Sequence, residues 1–393
     1  NCWKISGDRN EYDRNRTLLN GTLKNTLSSE KMNEVLLNNA SQKFHDKETV
    51  LVIHDPCDIR KEHTRKSEQI GKVLSLEKEV INGYSTVNSI CIDIKESKVY
   101  LLSCHPYSNK SKNYIKEEDL KNWKIDLLED EFNLKSIMKD SLKETSEKLK
   151  SKNPKLNVVH ILDRDWDDYD IHVYIDEELN DLFVVRCKID RNSNKKSQDT
   201  GKLIKLCDKE LSNNFDVYVS KVELKGKVYQ DVRVTYGYEE VMIEGCKRWF
   251  VRINVTDSKS KPIFKDPMLL LTNIPVKKDE IAEIIYHYYL KRSKIEGVFK
   301  FLKNSLGWEE FRVKDFESIK NIIALCFFIG QYFYEIESDL VKDPMIQEIC
   351  FLGNGKGKVT RYYFLEGLSS LANYFIIQSY IKEHNISEEQ LRK

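Results

Sequence analysis

The sequence predicts an α/β protein in which a mixed sheet flanked by helices is interrupted by a β-rich insertion and followed by a helical C-terminal region. Three observations predict this class. Apolar runs that stop at an aspartate alternate with helical patterns over 49–189, β-branched and aromatic segments broken by polar turns fill 190–275, and helical periodicity resumes at Lys278. The predicted segments are a partial N-terminal helical region (1–48), the first part of the core (49–189), the insertion domain (190–275), the second part of the core with a glutamate-bearing helix (276–342) and a C-terminal helical region (343–393).

The first strands follow an N-terminal helical tract, for which Ser28 or Ser29 is a suitable N-cap. The run TVLVIHD is short and rich in β-branched residues, so we predict a buried central strand that ends at Asp55. The segments YSTVNSICIDI and SKVYLLSCH alternate apolar and polar residues across the short connection KES. They therefore predict a β-hairpin.

The next elements repeat this arrangement. Leu, Ile and Met recur at helical spacing from Leu127 to about Lys150. The run LNVVHILD then predicts a second central strand, which stops at Asp163, and a short helix is expected around 169–179 before the strand DLFVVRCKI. Beyond the insertion, helices are predicted to resume at Lys278 and to continue almost to the C-terminus, with a break at GNGKGKV. One long helix is expected to carry YLKRSKIEGVFKFLK.

Composition excludes several classes of protein. The longest apolar run, IIALCFFIG, is too short to span a bilayer and predicts a buried helix, and the chain opens without an apolar leader pattern. Nine cysteines without a CxxC pair favour a reduced cytoplasmic interior, and no membrane partner is expected. Because the net charge is only +1, a DNA-binding surface has to be a local patch; RNSNKKSQDTGKLIK and LKRSKIEGVFKFLK are candidates.

Four polar residues in YLKRSKIEGVFKFLK carry the strongest signal. Tyr289, Arg292, Glu296 and Lys303 stand at offsets that place them within an arc of roughly 60° on one helix. A single carboxylate beside two cations and a phenol suits a site where the acid holds a divalent metal and its neighbours hold phosphate oxygens. A solvated helix face is the alternative for this stripe alone.

Two further acids are expected near Glu296. Asp55 and Asp163 each follow a predicted central strand, and functional groups of open α/β sheets gather beyond the carboxyl ends of strands. Three carboxylates would form an oxygen-only cage for two Mg²⁺ or Mn²⁺ ions about 3.5–4 Å apart. Either aspartate alone could instead be a helix cap or turn residue.

Together these motifs resemble the insertion-sequence-4 family of DDE transposases, of the transposon-five transposase type. The four-residue stripe matches the spacing Y-x2-R-x3-E-x6-K, ILDRDWDDYDIHVYI resembles the family's second catalytic block, and VLVIHDPCDI resembles the first. The β-rich insertion before the glutamate also fits. The resemblance covers roughly residues 45 to 330 and implies a ribonuclease-H-like catalytic core.

The resemblance also implies roles for individual residues. Asp55, Asp163 and Glu296 would be the catalytic metal ligands. The DNA end would be held by the remaining matched positions: Arg292 and Lys303 on phosphates, Tyr289 at the terminal phosphate, Arg164 beside the second aspartate, and Met268 where family members have a tryptophan that stacks on a flipped base.

The chain departs from the family pattern at several positions. The first block reads His54-Asp55-Pro56-Cys57-Asp58, so Asp58 is a rival for Asp55. Trp249 is an alternative base-stacking residue, although for both Trp249 and Met268 a place in the core of the insertion is the simpler interpretation. Because oxygen ligands suit the implied metal, the histidines near the acids are interpreted as packing or hydrogen-bonding residues: His54, His63 and His160.

The resemblance implies a DNA transposase that cuts the ends of an insertion sequence and joins them to target DNA, acting on double-stranded DNA as a homodimer. It also implies a bacterial cytoplasmic protein associated with the nucleoid. Two alternatives stay open. One is a metal-dependent nuclease on the same core, which would cleave DNA without joining it. The other is a decayed or repurposed protein that binds DNA without chemistry.

Overall fold

The computed structural model of the chain describes residues 28–45, 48–194, 203–224 and 227–383, so residues 1–27 and most of the basic cluster RNSNKKSQDTGKLIK lie outside the described residues. The strands are β1 (Thr49–Arg60), β2 (Gly71–Leu74), β3 (Val80–Asp93), β4 (Val99–Tyr107), β5 (Asn157–Leu162), β6 (Leu182–Arg186), β7 (Asn192–Asn194), β8 (Leu203–Lys205), β9 (Asn213–Leu224), β10 (Lys227–Ile243), β11 (Cys246–Thr256) and β12 (Met268–Thr272). The helices are α1 (Ser29–Ser41), α2 (Glu117–Trp123), α3 (Leu134–Lys152), α4 (Tyr169–Val173), α5 (Asp279–Leu290), α6 (Ser293–Ser305), α7 (Phe316–Ser338), α8 (Pro344–Asn354) and α9 (Arg361–Glu383).

These strands form one large open sheet. Its order is β2-β3-β1-β5-β6-β12-β11-β10-β7-β8, with β4 beside β3 and β9 beside β10. The neighbours β1, β5 and β6 run parallel, and the other pairs are antiparallel. The prediction of a mixed α/β protein with a helical C-terminal region is confirmed.

The strands of the predicted insertion continue this sheet. The last of them, β12, pairs with the parallel strand β6 through Leu270 and Arg186, and β11 and β10 follow on its other side. The backbone hydrogen bonds therefore pass without interruption from the first half of the chain into the segment 190–275. Where the domains divide stays a prediction.

Helices cover both faces of the parallel strands, as the continuous apolar runs require. We call the two sides face A and face B. On face A, odd-numbered residues of β1 and β5, such as Leu51 and Ile161, join the core cluster that contains α5, α6 and α7. On face B, even-numbered residues such as Val52 and Leu162 join the clusters that contain α1 and α3.

Several predicted elements are confirmed. Ser28 is the N-cap of α1, and its hydroxyl accepts a hydrogen bond from the Lys31 amide. The hairpin of β3 and β4 is present, as are β5, β6 and a helical segment at 169–178, where α4 continues into one π-type turn. The glycine-rich segment GNGKGKV separates α8 from α9.

Two predicted boundaries are wrong. Strand β1 does not end at Asp55 but continues to Arg60, because β3 pairs with it along that whole length. Only the parallel pairing with β5 stops before the aspartate. The helix predicted from Leu127 begins at Leu134, where Asn133 and Ser136 form a reciprocal capping box.

The prediction that one helix carries all of YLKRSKIEGVFKFLK, from Tyr289 to Lys303, is also wrong. This segment is divided between α5 and α6 at Lys291 and Arg292. The amides of Lys291 and Arg292 bond to the carbonyls three residues earlier, at Tyr288 and Tyr289. This tight turn changes the direction of the polar stripe, because the stripe now extends over two helices and the turn between them.

One helix of the described residues, α7, is long and apolar enough to cross a membrane by length and composition alone. Half of its most apolar window is buried inside the protein (50%). Phe327 and Ile323 of this helix lie in the face A core, as predicted for IIALCFFIG. Its composition is therefore no clear membrane signal.

Candidate active site

The alternation of side chains along β1 and β5 brings the two strand-end aspartates together. The last parallel pair is Ile53 with Ile161, and both isoleucines point into face A. Asp55 lies two residues after Ile53, and Asp163 lies two residues after Ile161. Because side chains alternate with a period of two, Asp55 points to the same face, and the contacts below place Asp163 beside it.

Arg292 meets both aspartates from the opposite helix layer. Its Nη2 lies 3.2 Å from both carboxylate oxygens of Asp55 and 3.2 Å from Oδ2 of Asp163. Its Nη1 donates to Oε1 of Glu296, one turn later on α6, at 2.7 Å. The three acids predicted as a cage therefore converge, and a guanidinium lies between them.

The acids differ in their exposure to solvent. Asp55 is only 7% exposed, whereas the side chain of Glu296 is 62% exposed. Burial raises the pKa of Asp55 to about 7, Asp163 and Glu296 add to the rise, and Arg292 opposes it. For Arg292, burial would lower the pKa, but the nearby acids, chiefly Asp55 and Asp163, raise it overall. A nearby cation therefore favours the charged form of these carboxylates.

As the side chains stand, no group of three or more His, Cys, Asp or Glu residues within the described ranges is arranged to hold a metal ion. The position between the three carboxylates is taken by the guanidinium. Asp163 also has a structural task, since its Oδ1 accepts from the Asp165 amide and caps a 3₁₀ turn at Arg164–Trp166. One carboxylate oxygen of Asp163 therefore caps the turn, and the other contacts Arg292.

Arg186 is a site residue that sequence reasoning missed. It is the last residue of β6, the third parallel strand, in register with the residue after Leu162, and its parity places it on face A. The hydroxyl of Tyr289 is buried against it; burial raises the pKa of that hydroxyl, and the charges of Arg292 and Arg186 oppose the rise. Only the strand register reveals this position, although an arginine that ends the apolar run DLFVVR was a visible signal.

Three arginines at this end of the sheet have an unused donor. The Nε atoms of Arg164, Arg186 and Arg292 are buried and have no hydrogen-bond partner among the described residues. Buried N–H groups without acceptors are costly, so these donors favour an anionic or strongly polar ligand.

Lys303 does not reach the three acids. Its Nζ donates to the carbonyl oxygen of Asp58 at 2.6 Å and lies 3.0 Å from Oε1 of Glu309. Lys303 also lies near the thiol of Cys57, whose pKa burial raises to about 12. The predicted stripe therefore divides into Arg292 and Glu296 at the aspartates and Lys303 further along β1.

Asp58 lies on the other face of the sheet. Its carboxylate accepts hydrogen bonds from the Ser85 hydroxyl at 3.0 Å and from the Leu74 amide at 3.2 Å. Both partners stabilise the pairing of β2 and β3 next to β1. The geometry thus favours Asp55 over Asp58 as the site residue.

Two predicted histidines form a buried chain of hydrogen bonds on face B. Nε2 of His54 lies 2.9 Å from Nδ1 of His160, and Ser89 meets the other nitrogen of His54 at 2.7 Å. His160 continues to Asp181 at 3.2 Å. Their interpretation as hydrogen-bonding residues fits this arrangement, whereas His63 is exposed in a turn.

The two candidate base-stacking residues pack within the protein. Met268 begins β12, close to the carboxyl end of β6, and Trp249 lies on β11; both are partly buried against the face A core. The eight cysteines within the described residues are free thiols. A scan against protein-family models found no match to this chain, and a search of the curated proteins found none either.

Proposed function

We propose that this chain is a DDE transposase with a ribonuclease-H-like core, which cuts DNA at the ends of an insertion sequence and joins the freed ends to target DNA. One observation carries the proposal: Asp55, Asp163 and Glu296, from three separate elements, converge on the point that Arg292 occupies. Three carboxylates around one cation match the donor set that the motif resemblance implies.

The carboxylates suit a divalent cation by their chemistry, since Mg²⁺ and Mn²⁺ prefer oxygen ligands. Asp55, Asp163 and Glu296 would hold one or two such ions, which when bound activate the attacking oxygen and stabilise the leaving oxygen of a phosphodiester. The guanidinium of Arg292 stands in for that positive charge in this structure.

The chain's own residues would position the DNA. Arg164, Arg186 and Arg292 offer unpaired Nε donors to phosphate oxygens beside the acids. Tyr289 supports Arg186 from the helix layer. Joining two element ends requires two active sites, so the proposal includes a homodimer in the DNA complex.

One observation favours the second alternative, a protein that binds DNA without catalysis. Arg292 contacts all three acids at once, as in a structural ion-pair cluster that never opens. A metal-dependent nuclease would use the same residues as the transposase and differs only in the fate of the cut end.

The test is a cleavage and strand-transfer assay on labelled element-end DNA, with the end sequence taken from the genomic flanks of the coding region. Wild type is compared with Glu296→Gln in Mg²⁺ and in Mn²⁺. The matched control is Glu280→Gln, the same chemical change at an exposed position in the first turn of α5.

We expect joined products from wild type and Glu280→Gln, and a loss of more than about 100-fold in Glu296→Gln, because loss of a metal ligand should cost more than the roughly 10–100-fold typical of an outer partner of a metal site. Cleavage without joining would show that the protein is a nuclease and not a transposase. Equal DNA binding by all three proteins with no product from any would establish a binding protein instead.

A further inference from the structure

Arg292 holds the acid site by contacts that are poorly suited to a permanent ion pair. A stable arginine–carboxylate pair uses two parallel hydrogen bonds of about 2.7–2.9 Å. Here one nitrogen, Nη2, faces three oxygens of Asp55 and Asp163 at 3.2 Å each, although it carries only two hydrogens. The pairing is therefore shared, long and incomplete.

The remaining contacts of Arg292 add little to hold it in place. Its single short bond is to Glu296, whose side chain is largely exposed, and solvent screens such pairs. Its Nε is buried and lacks an acceptor within the part of the chain that the structure describes. Leaving the site would expose three carboxylate oxygens and would allow all the donors of Arg292 to be used by another anion.

We propose that Arg292 is an internal cation that competes with the divalent metal, and that binding of a DNA phosphate withdraws it, so that metal binding and DNA binding strengthen each other. This inference rests on the proposed function and adds a coupling to it. Asp55 and Asp163 both lie 3.2 Å from the same nitrogen atom, so their carboxylates repel each other when no cation lies between them. Arg292 supplies that cation before DNA arrives, and the metal supplies it afterwards.

The position of Arg292 in the fold suits this exchange. It lies in the turn between α5 and α6, where the backbone amides of Lys291 and Arg292 donate hydrogen bonds to the carbonyls three residues earlier. Arg164 and Arg186, whose Nε donors are also unpaired, lie at the same end of the sheet and would bind the same phosphate group. A phosphate there competes with the aspartates for the guanidinium.

The test measures Mn²⁺ binding by the electron paramagnetic resonance signal of free Mn²⁺, with wild type, Arg292→Gln, Arg292→Lys and Asp55→Asn. We expect Arg292→Gln to bind Mn²⁺ roughly tenfold more tightly than wild type, within the range for coupled sites. Arg292→Lys keeps the charge and should resemble wild type. Mn²⁺ should also raise the Tm of Arg292→Gln more than that of wild type, which shows that the variant is folded.

Coupling is reciprocal, so DNA binding gives a second readout. Fluorescence anisotropy of a labelled DNA duplex should show that Mn²⁺ tightens duplex binding by wild type by a similar factor and has no such effect on Arg292→Gln. Equal Mn²⁺ affinity of wild type and Arg292→Gln, lost in Asp55→Asn, would overturn the competition while leaving a metal-dependent enzyme. No Mn²⁺ binding by any variant, with or without duplex, would overturn the proposed function itself.

Discussion

Asp55 and Asp58 are three residues apart on one strand, yet their surroundings give them different chemistry. Asp55 faces Arg292 on face A, whereas Asp58 accepts structural hydrogen bonds from Ser85 and Leu74 on face B. We expect Asp55→Asn to lower product formation by more than about 100-fold, because a ligand matters more than an outer partner of a metal site. Asp58→Asn should keep activity within about tenfold and lower stability by about 1 kcal/mol.

The measurement is the strand-transfer assay together with a urea denaturation curve for each variant. The stability curve separates the two effects, since loss of activity with unchanged stability assigns a residue to the site. Loss of activity in Asp58→Asn with Asp55→Asn unaffected would reverse the assignment.

A buried histidine outside the candidate active site makes the free energy of unfolding depend on pH. His172 stacks on Phe183 with ring centroids 4.9 Å apart, and burial lowers its pKa to about 3, aided by the charges of Arg191 and Arg248. An unfolded histidine has a pKa of about 6.5. Between these values the unfolded chain binds a proton that the folded protein does not, so the free energy of unfolding falls as pH falls, by about 1.4 kcal/mol per pH unit.

His172→Phe keeps a ring against Phe183 and removes this titration. We expect the free energy of unfolding of this variant to fall less than that of wild type between about pH 6 and about pH 5. Urea denaturation at each pH measures the two values. The dependence should not vanish, because burial also lowers the pKa of His54. The exposed His63→Phe is the control; equal acid sensitivity of both variants would contradict the role given to His172.

At the scale of elements, two glycines in helices have opposite surroundings. A Cβ built on Gly367 of α9 would lie 1.8 Å from the Ile349 carbonyl oxygen of α8, whereas one on Gly297 of α6 meets nothing within 4 Å. We expect Gly367→Ala to lower the free energy of unfolding by at least about 2 kcal/mol, because the two helices have to move apart. Gly297→Ala should raise it by about 0.5–1 kcal/mol through helix propensity.

Urea denaturation followed by circular dichroism gives both values, with wild type as the reference. The same Gly→Ala change is made at one closely packed and one open helix position, so the two variants separate the effect of helix packing from that of helix propensity. A stabilised Gly367→Ala protein would show that α8 and α9 do not pack as closely as described.

Periodicity predicted most elements but not the break between α5 and α6. Lys291 (φ −66°, ψ −16°) and Arg292 (φ −51°, ψ −37°) both keep right-handed helical backbone angles, and neither is glycine or proline. The break is a change of hydrogen-bond partner, which leaves no mark in residue type. Lys303 lies about two turns beyond Glu296 on the same helix α6, so its amine reaches the Asp58 carbonyl on β1 and not the three acids.

At the scale of the molecule, the sequence predicted which acids meet but not how the sheet is joined. Asp55 and Asp163 could be predicted because each follows an apolar run, and strands of that kind lie side by side. The site position of Arg186 and the pairing of β6 with β12 depend on register between distant segments, and no local pattern encodes register.

The pairing of β6 with β12 also orders events while the ribosome makes the chain. Val184, Val185 and Arg186 of β6 find their partners in Thr272, Leu271 and Leu270, roughly 85 residues later. Until those residues emerge, the nascent parallel strands keep an open edge of unpaired backbone groups, a surface on which chains aggregate. Glu296 and Arg292 are made later still. The newborn chain therefore carries Asp55 and Asp163 for a time without Arg292, whose guanidinium lies between them in the folded protein.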